Sequence, residues 1–404
     1  MPFSNVRRLT DRFADDSISP PLKIIGQEIL VNTRIRDALL CALFGAFLLG
    51  MLGGLLFGRD QKFSEKEKRY LAERPALKLK TLFSGEYGQD VEDWAADHLP
   101  GRDFLVGLNA RAERALGLQV TKEIYIGGDG RLFERPSAYD PAVLEKNRAA
   151  VSAFAETVGK PVDVMLVPSA GYLMQNQISN LADPYEDDKI LADAFPQEDG
   201  LVRPMNLLPV FAASPTPEAL FYRTDHHWTS LGAYEAYRLY CAEKGKTPLS
   251  PERYEIERVE GFYGTTYTRA RFWALPPEQL ELWNSPGRFR VSFSEKEDVF
   301  DQLFFRERLK ESDKYPVWLN GNHPLVTIEN QSPEAEGSLL VIRDSYANCL
   351  GCFLADSWKT VTLADLRYYK GSVSALCAER QFDDILLVYS VRNYMTDSNL
   401  TWLD

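Results

Sequence analysis

Apolar and polar positions follow different rhythms along this chain. Between Asp37 and Arg59 there is no rhythm at all: ALLCALFGAFLLGMLGGLLFG, Ala38 to Gly58, runs 21 residues without a charge. As a helix rising about 1.5 Å per residue, such a run spans about 30 Å, the hydrocarbon thickness of a bilayer. Its five glycines would weaken a soluble helix and are tolerated in lipid. The run is longer than a usual signal-peptide core and is not followed by a small-x-small cleavage site with a polar start. It therefore reads as an uncleaved anchor, with a buried core helix as the plainer alternative.

Helical spacing comes next. FSEKEKRYLAERP pairs Ser64 with Glu67 as a capping box and stops at Pro75, and VEDWAADHLPGRDFLVGLNARAERALG is interrupted at Pro100-Gly101. The expected organisation is an N-terminal cytoplasmic segment (1–37), the span (38–58), a helical stalk or preface (59–118) and a domain over 119–404. IYIGGDGRLFE, residues 124–134, predicts a hairpin turning at Asp129-Gly130. From about residue 140 helix and strand alternate: DPAVLEKNRAAVSAFAETVG is an amphipathic helix, VDVMLVPS (162–169) a strand, ALFYRT a short strand ending at Asp225, and SLGAYEAYRLYCAEKG the next helix. SLLVIRDSYANCLGCFLADSW, KTVTLAD and DDILLVYS read strand, Ser, helix, strand, helix, strand. Apolar strands joined by helices predict a mainly parallel sheet covered on both faces, hence an α/β fold. The aromatic-rich, less regular residues 246–336 are expected to be an insertion.

Composition changes the functional picture more than the structural one. The 404 residues carry 46 Lys+Arg against 58 Asp+Glu, a net −12, which argues against nucleic acid as a partner. Five cysteines are odd in number and too few for a disulfide-held scaffold. Histidine chemistry has few places to be, since His98, His226, His227 and His323 are the whole supply. Near the span, Lys23, Arg34 and Arg36 lie on one side and Arg59, Lys62, Lys66, Lys68 and Arg69 on the other. That count mildly favours the large domain inside, although long domains translocate regardless of charge.

Two segments carry the chemistry. Thr224-Asp225-His226-His227-Trp228 lies where a strand is expected to give way to a helix, and Asp344-Ser345 directly follows the strand LLVIR. Ligands collect at the carboxyl ends of strands in α/β sheets. A serine there has helix-start N–H groups nearby to stabilise an oxyanion, a histidine can take its proton, and a carboxylate can fix that histidine. Asp225 and His227 share one side if the segment is extended, which leaves His226 for packing. The order Asp, His, Ser is no objection, and the lack of a G-x-S-x-G elbow counts against an α/β-hydrolase.

Other readings stay open. Asp225, His226, His227, His323 and Asp344 are metal-ligand types, although adjacent histidines rarely reach one ion and no HExxH occurs. Asp344-Ser345 is also an ordinary helix cap. Cys349 and Cys352 fall inside a helix, which favours packing over redox chemistry. In GFYGTTYTRARFWALPPEQLELW (261–283), Tyr263, Tyr267 and Arg269 suit contacts to a sugar chain, or else form a small core of their own. Asn322 is a candidate side-chain oxyanion donor or a turn residue, with His323 beside it as a substrate contact.

TDHHWTSLGAY together with IRDSYANCL resembles the DHHW family of bacterial membrane-anchored proteins, which are similar to the SGNH-hydrolase-like proteins that O-acetylate alginate. FSEKEKRYLAERP, ADHLPGRDFLVGL, IYIGGDGRLF, GFYGTTY and GNHPLVTIEN look like further segments of that family, in the same order, from about residue 60 onward. The resemblance implies a three-layer SGNH-hydrolase-like α/β domain outside the membrane. Its D-x-H motif falls on Asp225 and His227, and its Asp-Ser nucleophile on Ser345. Arg343 stands where the common pattern has Gly. The resemblance further implies a membrane-anchored O-acyltransferase or esterase acting on a cell-envelope polysaccharide, with oxyanion donors from the backbone of Ser345 and Tyr346 and from Asn322. No cofactor or metal is expected, and a membrane-bound O-acyltransferase is an implied partner. A non-catalytic glycan-binding or scaffold protein of an envelope machine is the alternative.

Overall fold

The structure, a computed structural model, describes residues 20–116, 120–121, 123–180, 182–194 and 200–403. Two compact units emerge: Met1–Phe63 with Tyr70–Phe104, and Ser64–Arg69 with Leu105–Asp404. The first contains α1 (Pro20–Phe57), whose segment Thr33–Phe57 is apolar and long enough to cross a membrane and buries none of its most apolar window in protein. The expected cytoplasmic segment 1–37 lies partly outside the described residues. Helices α2 (Leu79–Ser84), α3 (Glu86–His98) and α4 (Arg102–Ala115) come after it. As the spacing predicts, Pro100-Gly101 separates α3 from α4, with Gly101 at φ +70°.

The capping-box helix does not form. Ser64 Oγ does accept the N–H of Glu67 at 3.2 Å, but residues 65–68 make a turn that ends with Lys68 at φ +48°. A cap satisfies one donor, and SEKEK offers no apolar stripe to bury, so nothing offsets the cost of helix nucleation.

The second unit is built on an eight-stranded sheet. In chain order its strands are β1 (Val162–Val167), β2 (Val202–Asn206), β3 (Phe289–Phe293), β4 (Val299–Phe300), β5 (Leu325–Asn330), β6 (Ser338–Arg343), β7 (Thr360–Ala364) and β8 (Asp384–Ser390). Their order across the sheet is β4-β3-β5-β7-β6-β8-β1-β2. From β7 to β2 all pairs are parallel; β5, β3 and β4 extend the β7 edge antiparallel. Part of the stretch read as an irregular insertion therefore belongs to the central sheet.

Alternation along the strands makes the three layers. On β6, Leu339 and Val341 enter one core with the helix α6 (Ser230–Glu243), while Leu340 and Ile342 enter the other with α5 (Pro141–Val158). Asp140 caps the start of α5, accepting from Ala142 and Val143 N–H, and Gly159 closes it at φ +64°. A third small core gathers Ile124, Ile126 and Leu132 of the expected hairpin with Tyr267, Ala270 and Leu275. Because β6, β8 and β1 are parallel neighbours, Asp344-Ser345, Ser390 and Ser169 all emerge at one edge of the sheet.

Candidate active site

Ser345 lies two residues past the end of β6, just before the half-turn into α7 (Ala347–Leu354). Its neighbour Asp344 is buried and tied down on both carboxylate oxygens. Oδ1 accepts the Tyr346 N–H at 2.9 Å, and Oδ2 accepts Ser390 N–H and Asn393 Nδ2, each at 2.8 Å. Asp344 does not cap α7, whose N-cap position is Tyr346 with no side-chain cap bond; its bond to the Tyr346 N–H instead fixes the turn that presents Ser345. It also occupies the Tyr346 N–H, the second backbone group that the sequence offered to an oxyanion.

Asp225, His226 and His227 come to the same place from a different element. ALFYRT forms only an isolated antiparallel bridge, Phe221 to Trp228, after a turn of 3-10 helix at Pro217–Leu220. The loop between the bridge residues is nailed down by buried groups. The Glu278 carboxylate accepts the N–H groups of Arg223 and Thr224 at 2.7 Å each, and the Thr224 hydroxyl accepts the Gly264 N–H at 3.1 Å.

Inside this loop Asp225 bends the chain on itself. Its Oδ1 accepts the His227 N–H at 2.9 Å and contacts His227 Nδ1 at 2.6 Å, while Oδ2 accepts the Thr265 N–H at 2.6 Å and its hydroxyl at 3.0 Å. The other ring nitrogen, His227 Nε2, is 2.7 Å from Ser345 Oγ. An unbroken line of hydrogen bonds thus joins Asp225, His227 and Ser345. The His227 ring is stacked on one side by Tyr315, centroids 3.8 Å apart and 13° from parallel.

Electrostatics favour a neutral imidazole beside an ionised carboxylate. Burial alone would raise Asp225, but His226, His227 and the Thr265 N–H hold it well below the usual carboxylate range. Burial and then the neighbouring His226 push His227 below its ordinary value, against the pull of Asp225.

His226 lies nearer than an extended segment would allow. Its ring faces that of His227 at 3.8 Å, and its Nδ1 is 2.7 Å from Thr265 Oγ1 and 3.7 Å from Asp225 Oδ1. The reason is the Asx turn: with His227 N–H bonded back to Asp225, alternation no longer sends adjacent side chains to opposite faces. Asp225, His226 and His227 offer donor atoms within 4.8 Å of one another, a grouping of metal-ligand type. Both ring nitrogens of His227 are already matched to Asp225 and Ser345, while Asp344 and His323 have other partners, so the five ligand-type residues do not converge.

The remaining predicted residues go to several places. Asn322 Oδ1 accepts from Arg343 Nη1 at 3.0 Å and from Asn348 Nδ2 at 2.9 Å, and Asn348 N–H in turn donates to Ser345 O at 3.2 Å. Arg343, fully buried, also donates to Asn348 Oδ1 at 2.7 Å and faces Asp365 at 3.6 Å. His323 is engaged by Glu295 and by Asn320 O and packs on Phe293, at the antiparallel edge. Tyr263 stacks on Tyr267 at 4.2 Å within the third core, and Tyr267 is only 7% exposed. Arg269 pairs with Glu134. Glu134, with Arg392, His226, Tyr346, Ser169 and Gly171, lines a small cleft that reaches Asp225. Thr265, Tyr315, Asn348 and Glu134 carry no spacing signal; Thr265 does lie in GFYGTTY, one of the segments noted in the sequence. Cys349 and Cys352 are buried in α7, with the Cys349 thiol pushed up to about 12 by burial.

Two family models match the chain: DHHW protein over residues 209–364, and the SGNH hydrolase-like domain of the acetyltransferase AlgX over 124–263. The α/β domain resembles DHHW-family, SGNH-hydrolase-like domains. No curated protein sequence matches it. A DHHW family protein from Eubacterium siraeum DSM 15702 is similar in structure at 20% identity and TM-score 0.57, covering 70% of this chain and 95% of that one. Bacillus cereus PatB1, in a structure with a sulfonyl adduct, is similar at 18% identity and TM-score 0.59, covering 70% and 98%. These likenesses are of fold. The α/β domain is preceded by the membrane-spanning α1 and stands outside the cytoplasm.

Proposed function

We propose that this protein is a membrane-anchored serine O-acyltransferase or esterase acting on a cell-envelope polysaccharide. The observation that carries the reading is the pair of hydrogen bonds on His227, 2.6 Å to Asp225 Oδ1 and 2.7 Å to Ser345 Oγ. Ser345 Oγ attacks the acyl carbon of an ester, and His227 Nε2 takes the hydroxyl proton. Asp225 holds His227 with Nδ1–H directed at its carboxylate and stabilises the imidazolium as it forms. The tetrahedral oxyanion is met by the Ser345 N–H and by the Asn322 amide, whose carbonyl is held by Arg343 and Asn348 and whose NH₂ is thereby turned away from them. The imidazolium then protonates the leaving oxygen. The acyl group left on Ser345 passes to a glycan hydroxyl in a transferase, or to water in an esterase, with His227 acting as base again.

The polysaccharide comes from the similarity to the AlgX acetyltransferase domain and from the extracytoplasmic placement of the domain. PatB1 with its sulfonyl adduct suggests the test. A phenylmethylsulfonyl or fluorophosphonate reagent should modify Ser345, located by peptide mass. Labelling should vanish in Ser345→Ala and fall sharply in His227→Ala. Equal labelling of wild type and Ser345→Ala would sink the reading.

A further inference from the structure

The first unit holds an apolar feature that the proposed chemistry does not use. Gly54 lies one turn inside the end of the membrane-spanning run, and the chain returns to it there: a Cβ on Gly54 would stand 2.5 Å from Pro100 Cγ. The α3–α4 junction is thereby pressed against the last turn of α1, about 5 Å short of its end at a rise of about 1.5 Å per residue. Neighbouring contacts hold it in place. The Arg74 guanidinium reaches the carbonyls of Leu55 and Leu56 at 3.5 and 3.3 Å and pairs with Asp60 at 3.2 Å. Trp94 lies 4.7 Å from that guanidinium and donates its indole N–H to Asp60 at 3.2 Å. Arginine and tryptophan around the exit of a span are groups of the membrane interface.

The junction itself is suited to that depth. Pro100 has no N–H, and the Arg102 N–H donates to Leu99 O at 3.0 Å. The Arg102 side chain folds back, its Nε donating to Ala96 O at 2.9 Å and its charge 3.7 Å from Asp97. Phe104, one turn further on, is left 68% exposed.

We infer that Leu99–Phe104 is a second membrane contact, with the junction in the headgroup–acyl boundary and Phe104 inserted into the leaflet that α1 leaves. The occupant is lipid because the junction packs on the last turn of the span itself, where Phe57, three residues from Gly54, is likewise exposed. A soluble patch of this kind would have no such neighbour. Two points of attachment, unlike one helix, restrict how this unit tilts on the bilayer.

The test uses the full chain in phosphatidylcholine nanodiscs. Cys41→Ala and Cys377→Ala remove the two cysteines that are not buried, and Phe104→Cys then takes an environment-sensitive fluorophore. The expected result is blue-shifted emission that is lost in large part when the acyl chains are brominated. Water-like emission unaffected by bromination overturns the inference. Blue-shifted emission that bromination leaves unchanged, with Phe104→Cys chains cross-linking to one another, assigns the surface to a second copy and overturns it as well.

Discussion

His227 is held by three kinds of force at once, and each sets a measurable quantity. Its two hydrogen bonds fix the tautomer, Tyr315 fixes the ring plane, and burial with His226 alongside keeps the ring neutral. His227→Ala should lower ester turnover on the order of 10³-fold or more, as expected for removing the base of a Ser-His-Asp relay. His226→Ala should cost far less, since its nitrogen contacts Thr265 instead of Ser345. The two variants, assayed side by side with one chromogenic acetate ester, decide the assignment; equal losses would contradict it. The pH profile carries a second, independent signature. Because the His227 pKa lies below its ordinary 6.5, kcat/KM should fall on the acid side with a midpoint under that value. Removing the neighbouring ring in His226→Ala, which helps to lower His227, should move that midpoint upward, toward 6.5. An unmoved acid limb would show that the ring contact at 3.8 Å is electrostatically idle.

Between residue and fold, elements hold the site by close approach, and here the sequence was informative unevenly. Strands β1, β6, β7 and β8 were legible because strands buried on both faces read as apolar runs, and the D-x-H and Asp-Ser segments fall at loop and strand ends. Strands β3 and β5 were not, because their polar-interleaved, aromatic-rich stretch is an antiparallel edge with short 3-10 turns between. The ring contact of His226 with His227 was hidden for another reason: it depends on an Asx turn, which spacing does not reveal. Gly264 is the clearest case of a role visible only in three dimensions. A Cβ there would lie 2.2 Å from Asp225 Cβ and 2.5 Å from its Cα, just where Thr265 at the start of the short helix Thr265–Ala270 donates to the Asp225 carboxylate. Gly264→Ala should therefore cost about 1–3 kcal/mol by overpacking and reduce turnover by displacing Asp225. Thermal unfolding and turnover on the same preparation measure the two effects. Arg343, where the common pattern has Gly, makes the converse case. Arg343→Met should leave the Asp225–His227–Ser345 line intact but release Asn322 and Asn348. Its kcat should fall by up to about 10²-fold, the lower range for losing one oxyanion donor, with KM little changed. A KM effect without a kcat effect would remove Arg343 from the oxyanion side of the site.

At the scale of the whole molecule, cations beside the span and the placement of the domain pull in opposite directions, and the fold accounts for some of the cations. Lys68 is not a solvated topology signal in the finished protein: its Nζ donates to Tyr263 O at 2.8 Å and pairs with Asp313 at 3.0 Å. Arg69 pairs with the buried Glu67, and Arg74 with Asp60. Lys68 and Arg69, two of the five cations counted past the span, thus also have a role in the fold. The orienting rule concerns short loops, and a domain of more than 300 residues translocates largely regardless of such charges. The serine relay proposed for envelope glycans is useful only on the side where that polymer lies. Protease added to intact spheroplasts should therefore degrade the α/β domain and leave an N-terminal epitope protected inside. Lysis should be required to lose that epitope. A domain that survives external protease until the membrane is opened would place the relay in the cytoplasm, away from the proposed substrate, and would undo the functional reading along with the topology.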